Sequence, residues 1–280
     1  VDFSQFDNDG PDGISNSGDD DGYVDFVAFI MPEVGGECGT SNLWAHRYVL
    51  EGWSPGVGFT TNDPAAGGGN IRVSDYIIQS GLGGNTGCTG GQIMPIGTMA
   101  HESGHAFGLP DLYDTFGISE GTGEWSLMGS GSWNVQSAPA HMDGWSKFTL
   151  GWIAVDTMLG GASPRPYVLN HIVHPASSIP DTALVLCTDA AACFDHEYLL
   201  LENRQAIGSD ASVHGGGLVA WHVDPGAIAA RLFSNTVNAQ TPHGLAVLDA
   251  DGLDQLDAPF GNRGDAGDPF PGSTGNHTLG

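Results

Sequence analysis

"HESGHAFGLPD", residues 101 to 111, holds two histidines, a glutamate between them and an aspartate six residues beyond the second histidine. Residues four apart on a helix stand one turn above each other, so the rings of His101 and His105 can converge on one ion. Gly108 can take the left-handed conformation that ends a helix and Pro110 cannot continue one, so the chain turns after Phe107 and can bring Asp111 back. Two imidazoles and one carboxylate make a three-ligand zinc site with its fourth position open, the arrangement of catalytic rather than structural zinc. Glu102 follows the first histidine and is placed to take a proton from water. That is machinery for attacking an amide carbonyl.

Outward from this stretch, the pattern predicts a helix over 94–107 and a second over 139–150 in "PAHMDGWSKFTL". Strand-like runs fall at "GYVDFVAFIM" (22–31), "RPYVLNHIV" (165–173), "TALVLC" (182–187), "HEYLLLENR" (196–204), "GGLVAWHV" (216–223) and "HGLAVLDA" (243–250). The order puts one buried strand and the main helix in the first half and a set of strands in the second, an α+β class. A subdomain border is expected near residue 160, around "LGGASPRP", giving a catalytic core over 1–160 and a β-rich subdomain over 161–280. The 44 glycines are scattered through loops, and no repeat is visible.

The likeness to a known family is carried by many segments. "HESGHAFGLPDLYD" resembles the extended HExxHxxGxxD site of the immune inhibitor A family of secreted bacterial metallopeptidases, which are similar to metzincins. "VDFSQFDNDG" at the start, "DGYVDFVAFI" at 21–30, "EWSLMGSGSWN" at 124–134, "SKFTLGW" at 146–152, "EYLLLENRQ" at 197–205, "GGGLVAWHVD" at 215–224 and "GDAGDPFPG" at 264–272 resemble family segments in the same order. The resemblance implies a zincin-like fold with an active-site helix and a Met-turn, a zinc bound by His101, His105 and Asp111, Glu102 as general base, and protein or peptide substrates. Met128 takes the place of the methionine that floors the metal in such enzymes. Glu124 is the reserve third ligand, and Asp114 is a candidate to orient a histidine through its other ring nitrogen.

Composition narrows the partners. The net charge of -26, from 33 acids and 7 bases, repels nucleic acid and anionic lipid and welcomes cations. "DNDGPDG" (7–13) and "GDDDGYVD" (18–25) space carboxylates as calcium loops do, without being EF-hands, and Asp7, Asp9, Asp19, Asp21 and Asp25 are the candidate calcium ligands. The acids of 249–270 form a weaker candidate of the same kind. Cys38, Cys88, Cys187 and Cys193 allow two disulfides, with Cys187 and Cys193 close enough for a local staple and Cys38 then left to Cys88, which suits an extracellular, oxidising setting.

No apolar run approaches the roughly 18 residues of a membrane span. The chain opens without a signal peptide and ends in loop-like sequence, so a pro-segment and further C-terminal domains are expected outside it. His141 is a candidate for the substrate cleft, whereas His46, His222 and the tryptophans, among them Trp125, Trp133, Trp145 and Trp152, read as core. No GxSxG elbow or reactive-cysteine context appears. Two readings compete with a secreted zinc endopeptidase: a catalytically silent, calcium-stabilised binding or adhesive module that keeps the metal site, and a zinc hydrolase of non-peptide amides.

Overall fold

The computed structural model describes residues 1–53, 56, 58–83, 88, 91–160, 166–171, 182–189 and 191–279. The chain divides into two compact units, Val1–Gly108 and Leu109–Gly280. The division thus follows Gly108, while the border expected near 160 falls against residues 161–165, outside the described ones.

The first unit contains β1 (Val27–Val34), β2 (His46–Val49), a one-turn helix α1 (Leu50–Trp53), β3 (Phe59–Pro64), β4 (Asn70–Val73), β5 (Asp75–Leu82) and the helix α2 (Ile96–Ala106). Its main sheet has the order β1-β5-β2, with β1 parallel and β2 antiparallel to β5, and β3 pairs with β4 as a separate antiparallel pair. The buried strand expected at 22–31 is not β1. As an edge strand paired only with β5, β1 leaves Phe29 and Ile30 exposed, whereas the central β5 buries Tyr76 and Ile77. Both runs are apolar, and only the pairing decides which is covered. The segment before β1 forms no strand of its own; it bridges β4 at Tyr23–Arg72, where the Val24 N–H donates to the Arg72 carbonyl at 2.8 Å, and Val24 packs with Ile71 and Val73.

Helix α2 lies against β5 and β2. It starts two residues later than expected, after Pro95, whose missing N–H is no loss at a helix start. At its other end Gly108 adopts φ of +93° and donates its N–H to the carbonyl of His105 at 2.9 Å, a left-handed stop that a side chain would resist.

In the second unit, short turns at Gly123–Trp125 and Leu127–Gly131 lead into α3 (Ser132–Asn134) and α4 (Gly144–Thr149). The helix expected over 139–150 is confined to α4 because Asp143 caps it. The buried Asp143 carboxylate accepts the Ser146 N–H at 2.8 Å, and the Ser146 and Ser126 hydroxyls at 2.8 and 2.6 Å. Upstream of that cap the backbone bonds elsewhere, Ala140 N–H to the Gly131 carbonyl and His141 N–H to Asp210.

Five strands follow, β6 (Ala154–Leu159), β7 (Thr182–Cys187), β8 (Tyr198–Arg204), β9 (Gly217–Val223) and β10 (Leu245–Val247), with α5 (Pro225–Arg231) between the last two. The sheet order is β10-β9-β8-β7-β6, antiparallel except for β6 beside β7. Val185, Leu200, Val219, Ala220, Trp221 and Val223 are fully buried in it. The run at 165–173 forms no strand in its described part, only a bridge from His171 to Asn203, and its end lies outside the described residues. Trp125 and Trp145 are core, but Trp152 is 55% exposed. Two disulfides form, Cys38–Cys88 and Cys187–Cys193. Among the described residues no helix is long and apolar enough to cross a membrane.

Candidate metal and active site

Within the eleven residues from 101 to 111, one donor atom each of His101, His105 and Asp111 lie within 4.8 Å of one another. The two imidazoles come from adjacent turns of α2, their ring centroids 4.8 Å apart and their planes at 90°. His101 and Asp111 are buried and His105 half-buried, as is suited to donors that must meet an ion rather than bulk water. Glu102, between the histidines, is 6% exposed. Two ring nitrogens and one carboxylate oxygen form a donor set that suits a divalent metal such as zinc.

Asp111 is held from a distant part of the second unit. Its N–H donates to the side-chain oxygen of Asn235 at 2.7 Å, and the Asn235 amide N–H donates back to Asp111 Oδ2 at 2.6 Å. This pair of hydrogen bonds fixes both the backbone and the carboxylate of the residue. Asn235 follows α5 and stands at φ of +53°, a conformation that asparagine tolerates better than most residues. Nothing local in the sequence signals it, because 124 positions separate the partners.

The next residue is anchored as firmly. Leu112, fully buried, donates its N–H to the Met128 carbonyl at 2.8 Å. Its own carbonyl accepts from the Thr122 N–H, the Thr122 hydroxyl and the Asn238 amide at 2.9, 3.1 and 2.8 Å. Met128 is itself fully buried in the turn Leu127–Gly131, with its N–H donated to the Ser126 hydroxyl at 3.0 Å. The methionine turn and the segment carrying Asp111 are therefore joined by hydrogen bonds.

The reserve residues are engaged elsewhere. Glu124 pairs with His214 at 3.0 Å, a bond that raises the pKa of the histidine. Asp114 closes its own loop: against the effect of burial, the N–H groups of Ser119, Phe116 and Ile118 hold its carboxyl below the usual range.

His141 sits by a buried ionic cluster. Arg204 donates to Glu202 at 3.1 Å, to Asp210 at 2.8 Å and to the carbonyls of Trp125 and His141 at 2.9 and 3.4 Å. Burial, with the charges of Lys147 and Arg204, lowers the His141 pKa to about 4. Burial pushes Glu202 up to about 7.

In the acidic loops, oxygens of Asp7, Asp9 and Asp20 lie within 4.8 Å of one another. Asp20 was not among the residues expected. Asp19 and Asp25 accept the N–H groups of Asp12 and Asn8, stitching the two loops together, and Asp21 accepts the Tyr23 N–H within its own loop. In a run of three consecutive aspartates, the one that faces inward depends on the turn and not on the spacing. Burial, ahead of the neighbouring carboxylates Asp20, Asp21 and Asp9, raises the pKa of Asp7.

Residues 1–161 match the family model described as the immune inhibitor A peptidase M6 catalytic domain. The chain is 32% identical over 149 residues, 48% of its length, to the pre-pro-metalloprotease PrtV of Vibrio cholerae serotype O1. It is 33% identical over 138 residues, 47% of its length, to immune inhibitor A of Bacillus thuringiensis subsp. alesti. These alignments take in 15% and 18% of the two relatives' own lengths.

Proposed function

The chain belongs to the immune inhibitor A peptidase family, M6, and from that premise we propose that it is the catalytic part of a secreted, zinc-dependent endopeptidase. The convergence of His101, His105 and Asp111 with the buried Glu102 beside them carries this reading. In it those three residues hold zinc. The metal, when bound, supplies Lewis acidity to the substrate carbonyl and makes water a nucleophile near neutral pH.

The rest of the chemistry falls to the chain's own side chains. The Glu102 carboxylate takes the proton from the attacking water as it adds to the peptide carbonyl, then delivers that proton to the leaving amine. Burial of Glu102 keeps it from bulk water, which would otherwise compete for the proton. Asn235 and Asp111, bonded to each other, keep the carboxylate ligand aimed as substrate arrives. Met128 forms an apolar floor without ligating anything. The substrate peptide lies extended along a sheet edge, where backbone groups lack a strand neighbour. Secretion fits the two disulfides and the acidic surface, and calcium at Asp7, Asp9 and Asp20 relieves the crowding of three carboxylates.

Casein digestion by wild type and Glu102→Gln, with zinc content measured on both, tests the reading. Expected are cleavage by the wild type, a loss of at least about a hundredfold in the variant, and equal zinc in both. Equal digestion by both proteins removes Glu102 from the chemistry. No digestion by a zinc-loaded wild type leaves the silent binding module in its place.

A further inference from the structure

A second set of oxygens lies far along the sequence from the metal-binding helix, in the segment 249–268 that follows β10. Asp268 is fully buried. Its Oδ2 accepts from Trp125 Nε1 at 2.6 Å and from the Asp265 N–H at 2.8 Å, but its Oδ1 has no hydrogen-bond partner. Both carboxylate oxygens of Asp249 are shut off from solvent, and neither accepts a hydrogen bond of good geometry. The same holds for the side-chain oxygen of Gln255. The backbone holds the two aspartates in neighbouring stretches, since the Ala250 N–H donates to the Asp268 carbonyl at 2.9 Å.

The bases nearby are engaged by other partners: His214, which stands close to Asp268 and Asp265, pairs with Glu124 at 3.0 Å. Arg263, the one base within 249–268, is turned to Glu120 at 3.1 Å, and Asp257 takes His243 at 2.9 Å. Asp251 and Asp265 add further negative charge, their carboxylates both lying against Gly267 where a side chain would otherwise stand. Burial, then the charges of Asp268, Asp251 and Asp254, pushes the Asp249 carboxyl up to about 7. A buried carboxylate with neither hydrogen bond nor counter-charge is strongly unfavourable. The Gln255 N–H only partly offsets the burial of Asp249, and a set of buried acceptors so short of donors asks for a cation.

We propose that Asp249, Asp268 and the Gln255 amide oxygen bind a hard divalent cation of the calcium class, at a site separate from both the zinc ligands and the Asp7–Asp9–Asp20 group. Oxygen-only ligation that mixes carboxylates with a neutral amide suits calcium, and it offers zinc none of the nitrogen or sulfur it prefers. The ion would tie the segment after β10 to Trp125, three residues before Met128.

The test uses the zinc-loaded full chain, freed of calcium, in an Asp7→Asn/Asp9→Asn background that silences the first acidic group. Calcium chloride should bind with one equivalent and raise the melting temperature. Terbium should give luminescence on tryptophan excitation that calcium displaces, since Trp125 touches Asp268. Asp249→Asn should weaken calcium binding at least tenfold. It should also melt no lower than its parent without calcium, because an uncompensated buried charge has been removed, yet lower than its parent with calcium. That crossing of the two curves separates a ligand from a residue of merely structural importance. Absence of calcium binding and of calcium-displaced terbium emission in the parent would overturn the site, as would an equal calcium response in Asp249→Asn. If the variant fails to fold, the parent's stoichiometry and terbium emission decide the matter alone.

Discussion

Replacing Asn235 with glycine removes both hydrogen bonds to Asp111, at 2.6 and 2.7 Å, while keeping a residue at ease at φ of +53°. The bond to the carboxylate is charge-assisted, and removing such a partner of a metal ligand weakens metal binding about 10- to 100-fold, or about 1.4 to 2.8 kcal/mol. Zinc affinity, measured by competition with a chromophoric chelator, should fall by that factor in Asn235→Gly. Peptidase activity should fall with it at limiting zinc and recover most of the way when zinc is saturating. Asn235→Ala should bind zinc as weakly as the glycine variant but melt lower, by about 1 to 2 kcal/mol, because alanine resists the left-handed backbone. Wild-type zinc affinity in Asn235→Gly, alongside a lowered melting temperature, would refute the reasoning and reduce Asn235 to a packing residue.

Other perturbations address the scaffold. Arg204→Met strands Glu202 and Asp210 without their counter-charge and should cost about 3 to 5 kcal/mol in denaturant unfolding; a loss below about 1 kcal/mol would mean the cluster rearranges freely. Asp143→Ala removes a helix cap and two further buried bonds and should cost at least about 2 kcal/mol, with α4 the first segment to gain hydrogen exchange. His141, lowered to about 4 from 6.5, stabilises the fold above pH 6.5, and that contribution is lost as pH falls towards 4. Glu202, raised to about 7 from 4.5, acts in the opposite sense: its contribution is full below pH 4.5 and is lost as pH rises through 7. Between about pH 4.5 and 6.5 the two slopes oppose each other. His141→Asn should therefore become less stable relative to wild type as conditions are made less acidic across that window, and superimposable pH–melting curves would count against the assignment.

What could be read from the sequence was whatever is local. His101 and His105 are related by one helical turn, and Gly108 with Pro110 dictates the stop that precedes Asp111, so the approach of these three follows from short-range geometry. Cys187 and Cys193 were legible for the same reason. Asn235 was not, because its partnership with Asp111 arises only when the loop after α5 packs, and an asparagine between a serine and a threonine announces nothing. The choice of Asp20 over Asp19 or Asp21 depended on a turn whose direction three identical side chains cannot encode. The edge position of β1 had a similar origin: apolar content marks a strand, but its place at an edge or in the centre is set by neighbours far along the chain, here β5, a strand the sequence reading did not pick out. The helix before Leu150 was overextended because Asp143, read as an interior residue, is its cap.

The grip of Asn235 on Asp111 also bears on biosynthesis. A ribosome releases His101, Glu102, His105 and Asp111 long before residue 235 emerges, so a nascent chain bearing the complete motif still lacks the clamp on its last donor. A hydrolase whose final adjustment waits for a late loop is at its least competent while other unfolded polypeptides lie closest to it.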